Sequence, residues 1–113
     1  MAKINAFYGL EQTEFTIIKV KTGSGIQIEI FTTLKGSAST KFVQKFDLIE
    51  DTDAYITLDK NTTNLALSDV DNDSNLDVLA PTVDRNGNLR LATYRFNLDL
   101  NAFEPYNKET ETN

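Results

Sequence analysis

Alternation is the feature that most restricts what this chain can become. Phe15, Ile17, Lys19 and Lys21 fall on one side of an extended segment, and Thr16, Ile18, Val20 and Thr22 fall on the other. After the turn cluster Gly23-Ser24-Gly25, Ile26, Ile28 and Ile30 alternate with Gln27, Glu29 and Phe31. A period of two is the signature of a strand with one face buried, and two such runs across a glycine-rich turn read as a β-hairpin. No stretch carries a helical period. The apolar residues lean to Ile, Val, Phe, Tyr and Leu, with many Thr, a mix that suits strands.

The same reading continues along the chain. Lys35 to Thr40 is a loop, Lys41 to Ile49 a strand, and Glu50-Asp51-Thr52-Asp53 a solvated turn. Leu65 to Leu67 is a short strand, Leu76 to Val83 the next, and Asp84-Arg85-Asn86-Gly87 a turn. Asn88 to Phe96 returns, Asn97 to Asn101 loops, and Ala102 to Tyr106 closes as an edge strand. The Lys residues at 19, 21, 35, 41 and 45 are expected on solvent faces, where they discourage edge pairing.

The halves match in character. Phe15 to Ile18 parallels Leu76 to Leu79, Ile26-Gln27-Ile28 parallels Leu89-Arg90-Leu91, and Phe31 parallels Tyr94. Phe42 to Phe46 falls where Phe103 to Tyr106 falls. The spacing of about 60 residues suits one four-stranded unit with its loops. Residues 1–107 are expected to form one β domain, with a metal-free unit at 13–60 and a second unit at 61–107. The polar stretch 108–113 is expected to be a disordered tail.

Composition narrows function. With 113 residues there is room for one modest core. The net charge of −6, from 17 acidic and 11 basic residues, disfavours nucleic acid and anionic membranes as main partners. No apolar run is long enough to span a bilayer, and no signal peptide is visible. There is no cysteine and no histidine. That removes disulfides, thiolate sites, the usual zinc ligand and the commonest general base. Glu11 with Glu14, or Asp51 with Asp53, would be the available glycosidase pairs, but nothing sets them apart from turn acids. Gly23-Ser24-Gly25 lacks the Gly-Lys-Ser/Thr of a phosphate loop. No enzyme is expected.

The sharpest local pattern is Asp69-Val70-Asp71-Asn72-Asp73-Ser74-Asn75-Leu76-Asp77. Carboxylates stand at relative positions one, three, five and nine. Packed at about 4 Å, each pair would repel by on the order of 4 kcal/mol, and a divalent cation turns that repulsion into attraction. Calcium takes six to eight oxygen ligands, whereas magnesium demands a smaller octahedron. Asp69, Asp71 and Asp73 supply side-chain oxygens, Asn75 its carbonyl, and Asp77 closes the site. Leu76 is expected to turn inward and anchor the loop. An EF-hand would need flanking helices and a carboxylate at position twelve, where Ala80 stands.

Asp-x-Asp-x-Asp-x-x-x-Asp before an apolar strand, a Gly turn and a second strand resembles the FG-GAP (VCBS) repeat. The match runs from Leu65 to Tyr106. The resemblance implies antiparallel propeller-like blades, about two of four strands each, with calcium between the first two strands of the second blade. It implies a calcium-stabilised, non-catalytic binding module, used in protein interaction and cell adhesion, in an extracellular or cell-surface setting; an intracellular one stays open. Leu10 to Glu14 holds the equivalent place in the first half without an Asp loop. Two blades cannot close a ring, so the chain is read as a fragment or as a homo-oligomer that completes a propeller. A small β-sandwich is the alternative fold. The partner is a protein or a glycan, with a lectin or an accessory part of a polysaccharide-active enzyme as alternatives, and Tyr8, Tyr55 and Tyr106 are candidate surface aromatics. The family has Gly where this loop has Ser74, and Gly relaxes the turn. Ser74→Gly is therefore expected to tighten calcium binding in a calorimetric titration; an unchanged Kd would mean that Ser74 already sits without strain.

Overall fold

The computed structural model describes residues 2–9, 12–23, 25–33, 40–48, 50, 52–69 and 75–106. Among them there is no helix, and the strands form antiparallel sheets. Of the loop expected at 35–40, residues 35–39 lie outside the described residues and Thr40 begins a strand, and the tail at 108–113 lies outside them too.

The first sheet is a meander of four consecutive strands: β1 (Ala2–Tyr8), β2 (Thr13–Thr22), β3 (Gly25–Thr33) and β4 (Thr40–Asp47). The expected hairpin is there, with Ile17 opposite Ile30 and Lys19 opposite Ile28. A register shift at Ile30/Phe31 bends β3 against β4. β1 adds a strand before the first alternating run, with Ala6 opposite Phe15.

A second meander follows: β8 (Ala66–Ser68), β9 (Asp77–Val83), β10 (Leu89–Asn97) and β11 (Ala102–Pro105). The far side of β9 is shared. β8 pairs with its first half, and β5 (Thr52–Asp53) pairs with its last two residues. The stretch expected to be a solvated acidic turn thus ends in a strand. Between β5 and β8 the chain leaves the sheet and forms a separate hairpin, β6 (Ile56–Leu58) with β7 (Asn61–Thr63). Its turn residues Asp59 and Lys60 both have positive φ, 49° and 69°. That is the geometry of a type I′ turn, here built without Asn-Gly.

The two sheets stack face to face. Ala6, Tyr8, Phe15, Ile17, Ile28 and Ile30 of the first sheet form one core with Leu65, Val78, Ala80, Tyr94, Phe96 and Phe103. Rings from both sides interlock: Tyr8 stacks on Phe96 at 5.1 Å, Phe15 meets Phe103 edge-on at 5.3 Å, and Phe46 stacks on Tyr94 at 4.6 Å. Such pairs add about 0.5–1.5 kcal/mol each beyond area burial. Gln44 clamps the outer edge of β11, donating to the Phe103 carbonyl at 2.9 Å and accepting its N–H at 2.8 Å.

The faces that meet are not equivalent. The Leu48 N–H donates to the Ile26 carbonyl, so Ile26, on the inward side of β3, aims its backbone at β4. The Tyr106 N–H donates to the Thr93 carbonyl, so on β10 the residues aimed at the last strand are Thr93 and its alternates. Those are the outward ones, because Tyr94 and Phe96 point into the core. Strand chirality ties backbone direction to side-chain face. The first meander therefore contributes one face to the core and the second contributes the opposite face.

Lys19 lies on the inward face, 3% exposed, contrary to the expected solvent position. The reason is a gap. β9 carries Pro81 in a central strand, where a missing N–H is normally excluded. Since Thr93 bonds to β11, its cross-strand neighbour Leu79 and the next alternate, Pro81, aim their backbone groups away from β10. Pro81 thereby faces the break between β8 and β5, where no N–H is needed. Its carbonyl accepts from Lys19 Nζ at 2.5 Å. The same ammonium donates to the Asn64 carbonyl at 2.9 Å and pairs with Asp53 at 2.6 Å. We expect Lys19→Met to destabilise the fold by about 3 kcal/mol in denaturant unfolding, since a carboxylate, a buried carbonyl and a part-buried one lose their donor. A loss below about 1 kcal/mol would mean that the ammonium does not tie the sheets together.

Candidate metal centre

β8 and β9 form a hairpin closed by the pair Ser68–Asp77. The loop between them runs from residue 69 to residue 76, so Asp69 and Asp77 stand at the same end of the sheet. Asp77 is fully buried, while Asp69 and Asn75 are half-buried. Asp71 and Asp73, the other two carboxylates of the pattern, lie outside the described residues, as do Val70, Asn72 and Ser74. Among the described residues no group of three or more acidic side chains is placed to hold a metal.

The return of the loop is anchored, though not as expected. Leu76 was to turn inward, but its side chain is 47% exposed. Its backbone is held instead: Tyr8 Oη donates to the Leu76 carbonyl at 2.6 Å. Tyr8, a candidate surface aromatic, is 2% exposed and reaches across from the first sheet. A buried tyrosine seeks a partner for its hydroxyl, and the loop supplies one. Only the stacking of the sheets brings residue 8 to residue 76.

The donor chemistry fits a hard cation. Asp69, Asn75 and Asp77 offer oxygen ligands, and the chain has no cysteine or histidine. Asp77, buried at the root of an acidic loop, is where a cation would act. An open hollow of about 360 Å³ lies beside Asn75, lined also by Arg95, Asn97 and Asp99. Its polar groups serve the fold: Arg95 Nε pairs with Glu104 at 2.8 Å, and its guanidinium lies 5.0 Å over the Tyr106 ring. Asn97 accepts the N–H groups of Asp99 and Leu100 and donates to Glu104 at 3.0 Å.

The remaining acids also have structural work. Burial would raise the Asp53 carboxyl, but Lys19, the Asn64 amide and the Ala54 N–H together hold it below its ordinary value. A general acid needs the opposite shift. Glu50 accepts the Thr82 hydroxyl at 3.0 Å. Glu104 is lowered by the Asn97 amide and Arg95, and Asp84 by the N–H groups of Asn88 and Asn86 in the β9–β10 turn. Asp51 and Glu11 lie outside the described residues.

Because the folded-state value of Asp53 lies below its unfolded value near 3.8, its stabilisation is complete well above that pH. It is lost as pH falls through the folded value. Asp53→Asn is therefore expected to lower stability at neutral pH and to flatten the acid limb below about pH 4. Urea unfolding between about pH 2 and 7 reads both; an unchanged acid limb would remove Asp53 from the acid response.

Among the described residues no helix is long and apolar enough to cross a membrane. Comparison with protein-family models, with curated proteins and with solved structures finds no match to this chain.

Proposed function

We propose that this chain is a calcium-stabilised, non-catalytic binding module of the FG-GAP/VCBS kind, working outside the cell or at its surface. The observation that carries the reading is the β8–β9 hairpin: its loop begins at Asp69 and ends at a fully buried Asp77 paired with Ser68. Asp69, Asp71 and Asp73 give side-chain oxygens to the ion, Asn75 gives its carbonyl, and Asp77 closes the shell. When bound, calcium neutralises the mutual repulsion of these carboxylates, and it supplies no reactive group. Tyr8 positions the return of the loop by holding the Leu76 carbonyl. The ion thereby stiffens the end of the second sheet that touches the first.

The partner is a protein or a glycan. Of the three candidate tyrosines, Tyr8 is buried, Tyr106 lies against Arg95, and Tyr55 is 62% exposed. Tyr55 is the one placed to stack on a ligand.

Thermal unfolding in calcium and in EDTA tests the proposal. A ligand that binds only the folded chain adds about 2.7 kcal/mol at a hundredfold excess over Kd, a rise of roughly 10 °C or more for a domain of this size. Asp71→Ala is expected to lower Tm in calcium and to leave it nearly unchanged in EDTA. Equal losses in both buffers would make the loop important without a metal, and a wild-type Tm indifferent to calcium would reduce it to an acidic turn.

A further inference from the structure

We propose that the free edge of β1 pairs antiparallel with the β1 edge of a second copy, about a two-fold axis at Asn5, giving a closed dimer. The pairing lies apart from the Asp loop and needs neither ion nor ligand.

The direction of the backbone fixes what this edge offers. Ile26 aims its carbonyl at β4, so Lys21, opposite it on β2, aims at β1, as do its alternates Lys19, Ile17 and Phe15. Their partners Ala2, Ile4 and Ala6 are therefore the β1 residues bonded to β2. Lys3, Asn5 and Phe7 aim their N–H and carbonyl groups outward, and these groups find no partner among the described residues. The three side chains stand together on the outer face of the first sheet, all exposed.

The other edges are guarded in ways that β1 is not. An open edge is a template for a further strand unless charge, proline, shortness or a cover blunts it. On β11 the outward positions are Phe103, whose backbone Gln44 occupies, and Pro105, which has no N–H. β4 presents exposed Lys45 and Asp47 on its open side. β5 and β8 have only two and three residues. β1 runs for seven residues with no proline and no shift of register.

The β1 sequence is complementary to itself. Centring the pair on Asn5 sets Lys3 of each copy opposite Phe7 of the other and engages the outward groups of all three residues. A shift by two residues in either direction carries Lys3 or Phe7 past the end of the other strand. Across β2, Glu14 stands next to Phe7 and Ile18 next to Lys3. Each Lys3 thus meets, along one row of the joined sheet, the Phe7 ring and then the Glu14 carboxylate of the other copy. Within its own copy it faces Ile18. Ring and carboxylate both attract an ammonium, whereas parallel pairing in register would set Lys3 beside Lys3. On the inner face, Ile4 of each copy comes opposite Ala6 of the other, beside the core. Such an interface is isologous and closes at two copies.

Sedimentation velocity of the full chain, in calcium and in EDTA, tests this. The wild type is expected to pass from monomer to dimer between about 1 and 100 μM, the span over which a micromolar affinity saturates. Asn5→Pro deletes the central outward N–H without touching a bond to β2. It is expected to leave the circular dichroism and Tm of the monomer unchanged and to weaken association about tenfold or more. Phe7→Lys, which sets like charges opposite each other, is expected to weaken association as well, and adding Lys3→Glu to it is expected to restore it. The chain has no cysteine, and directly opposed residues that exchange both hydrogen bonds have Cα atoms about 5.5 Å apart, within disulfide reach. Asn5→Cys is therefore expected to give a covalent dimer under mild oxidation much faster than Leu100→Cys, an exposed position off this edge. A wild type still monomeric at about 100 μM, an Asn5→Pro chain that dimerises like the wild type, equal cross-linking from both cysteine variants, or no recovery with Lys3→Glu would each overturn the proposal.

Discussion

An ammonium group in the wall between two sheets settles much of this molecule. The second sheet has a break along β9, because the chain leaves it after Asp53 and rejoins it only at Ala66. A break in a central position exposes backbone acceptors that nothing in that sheet can satisfy, and a buried unsatisfied carbonyl costs about 1–3 kcal/mol. Lys19, from the other sheet, reaches the Pro81 and Asn64 carbonyls and the Asp53 carboxylate together. Pro81 is tolerable in a central strand only because of this arrangement. The excursion through β6 and β7 is tolerable for the same reason.

An aromatic layer joins the same two sheets. Tyr8, Phe15, Phe96 and Phe103 pack within about 6 Å of one another, centroid to centroid, from four strands and two sheets. Tyr8 then carries the contact onward, because its hydroxyl holds the carbonyl of Leu76 at the root of the Asp loop. Core packing and the geometry of the candidate metal centre are thus mechanically linked. The return of the loop at Leu76 is tied to the first sheet. One of its anchors lies 68 residues away in sequence.

The opposite-face relation gives the molecule a direction. A pair of sheets meeting through equivalent faces has a pseudo-two-fold axis and leaves two like faces outside. Here the side chains left exposed differ, Phe7 and Phe42 on the first sheet and Leu89 and Leu91 on the second.

Much of the strand pattern was legible because alternation is a local signal. Phe15 to Val20 and Ile26 to Phe31 could hardly be read otherwise, and Asn86-Gly87 marked its turn. β1 escaped notice because its inward side chains include Ala2 and Ala6, too small to make alternation visible. β6 and β7 escaped because their turn is Asp59-Lys60, strained residues in place of Asn-Gly. Lys19 was placed outside because charge normally belongs in water, and only a gap in another sheet reverses that preference. The all-β class, the β2–β3 and β9–β10 hairpins and the acidic run 69–77 were legible from sequence alone, since period two, turn chemistry and acidic spacing act over a few residues. Which faces meet, the burial of Lys19 and Tyr8, and the hold on the Leu76 backbone became visible only in the folded chain. Those follow from contacts between distant strands, where the need to satisfy buried polar groups outweighs local preference.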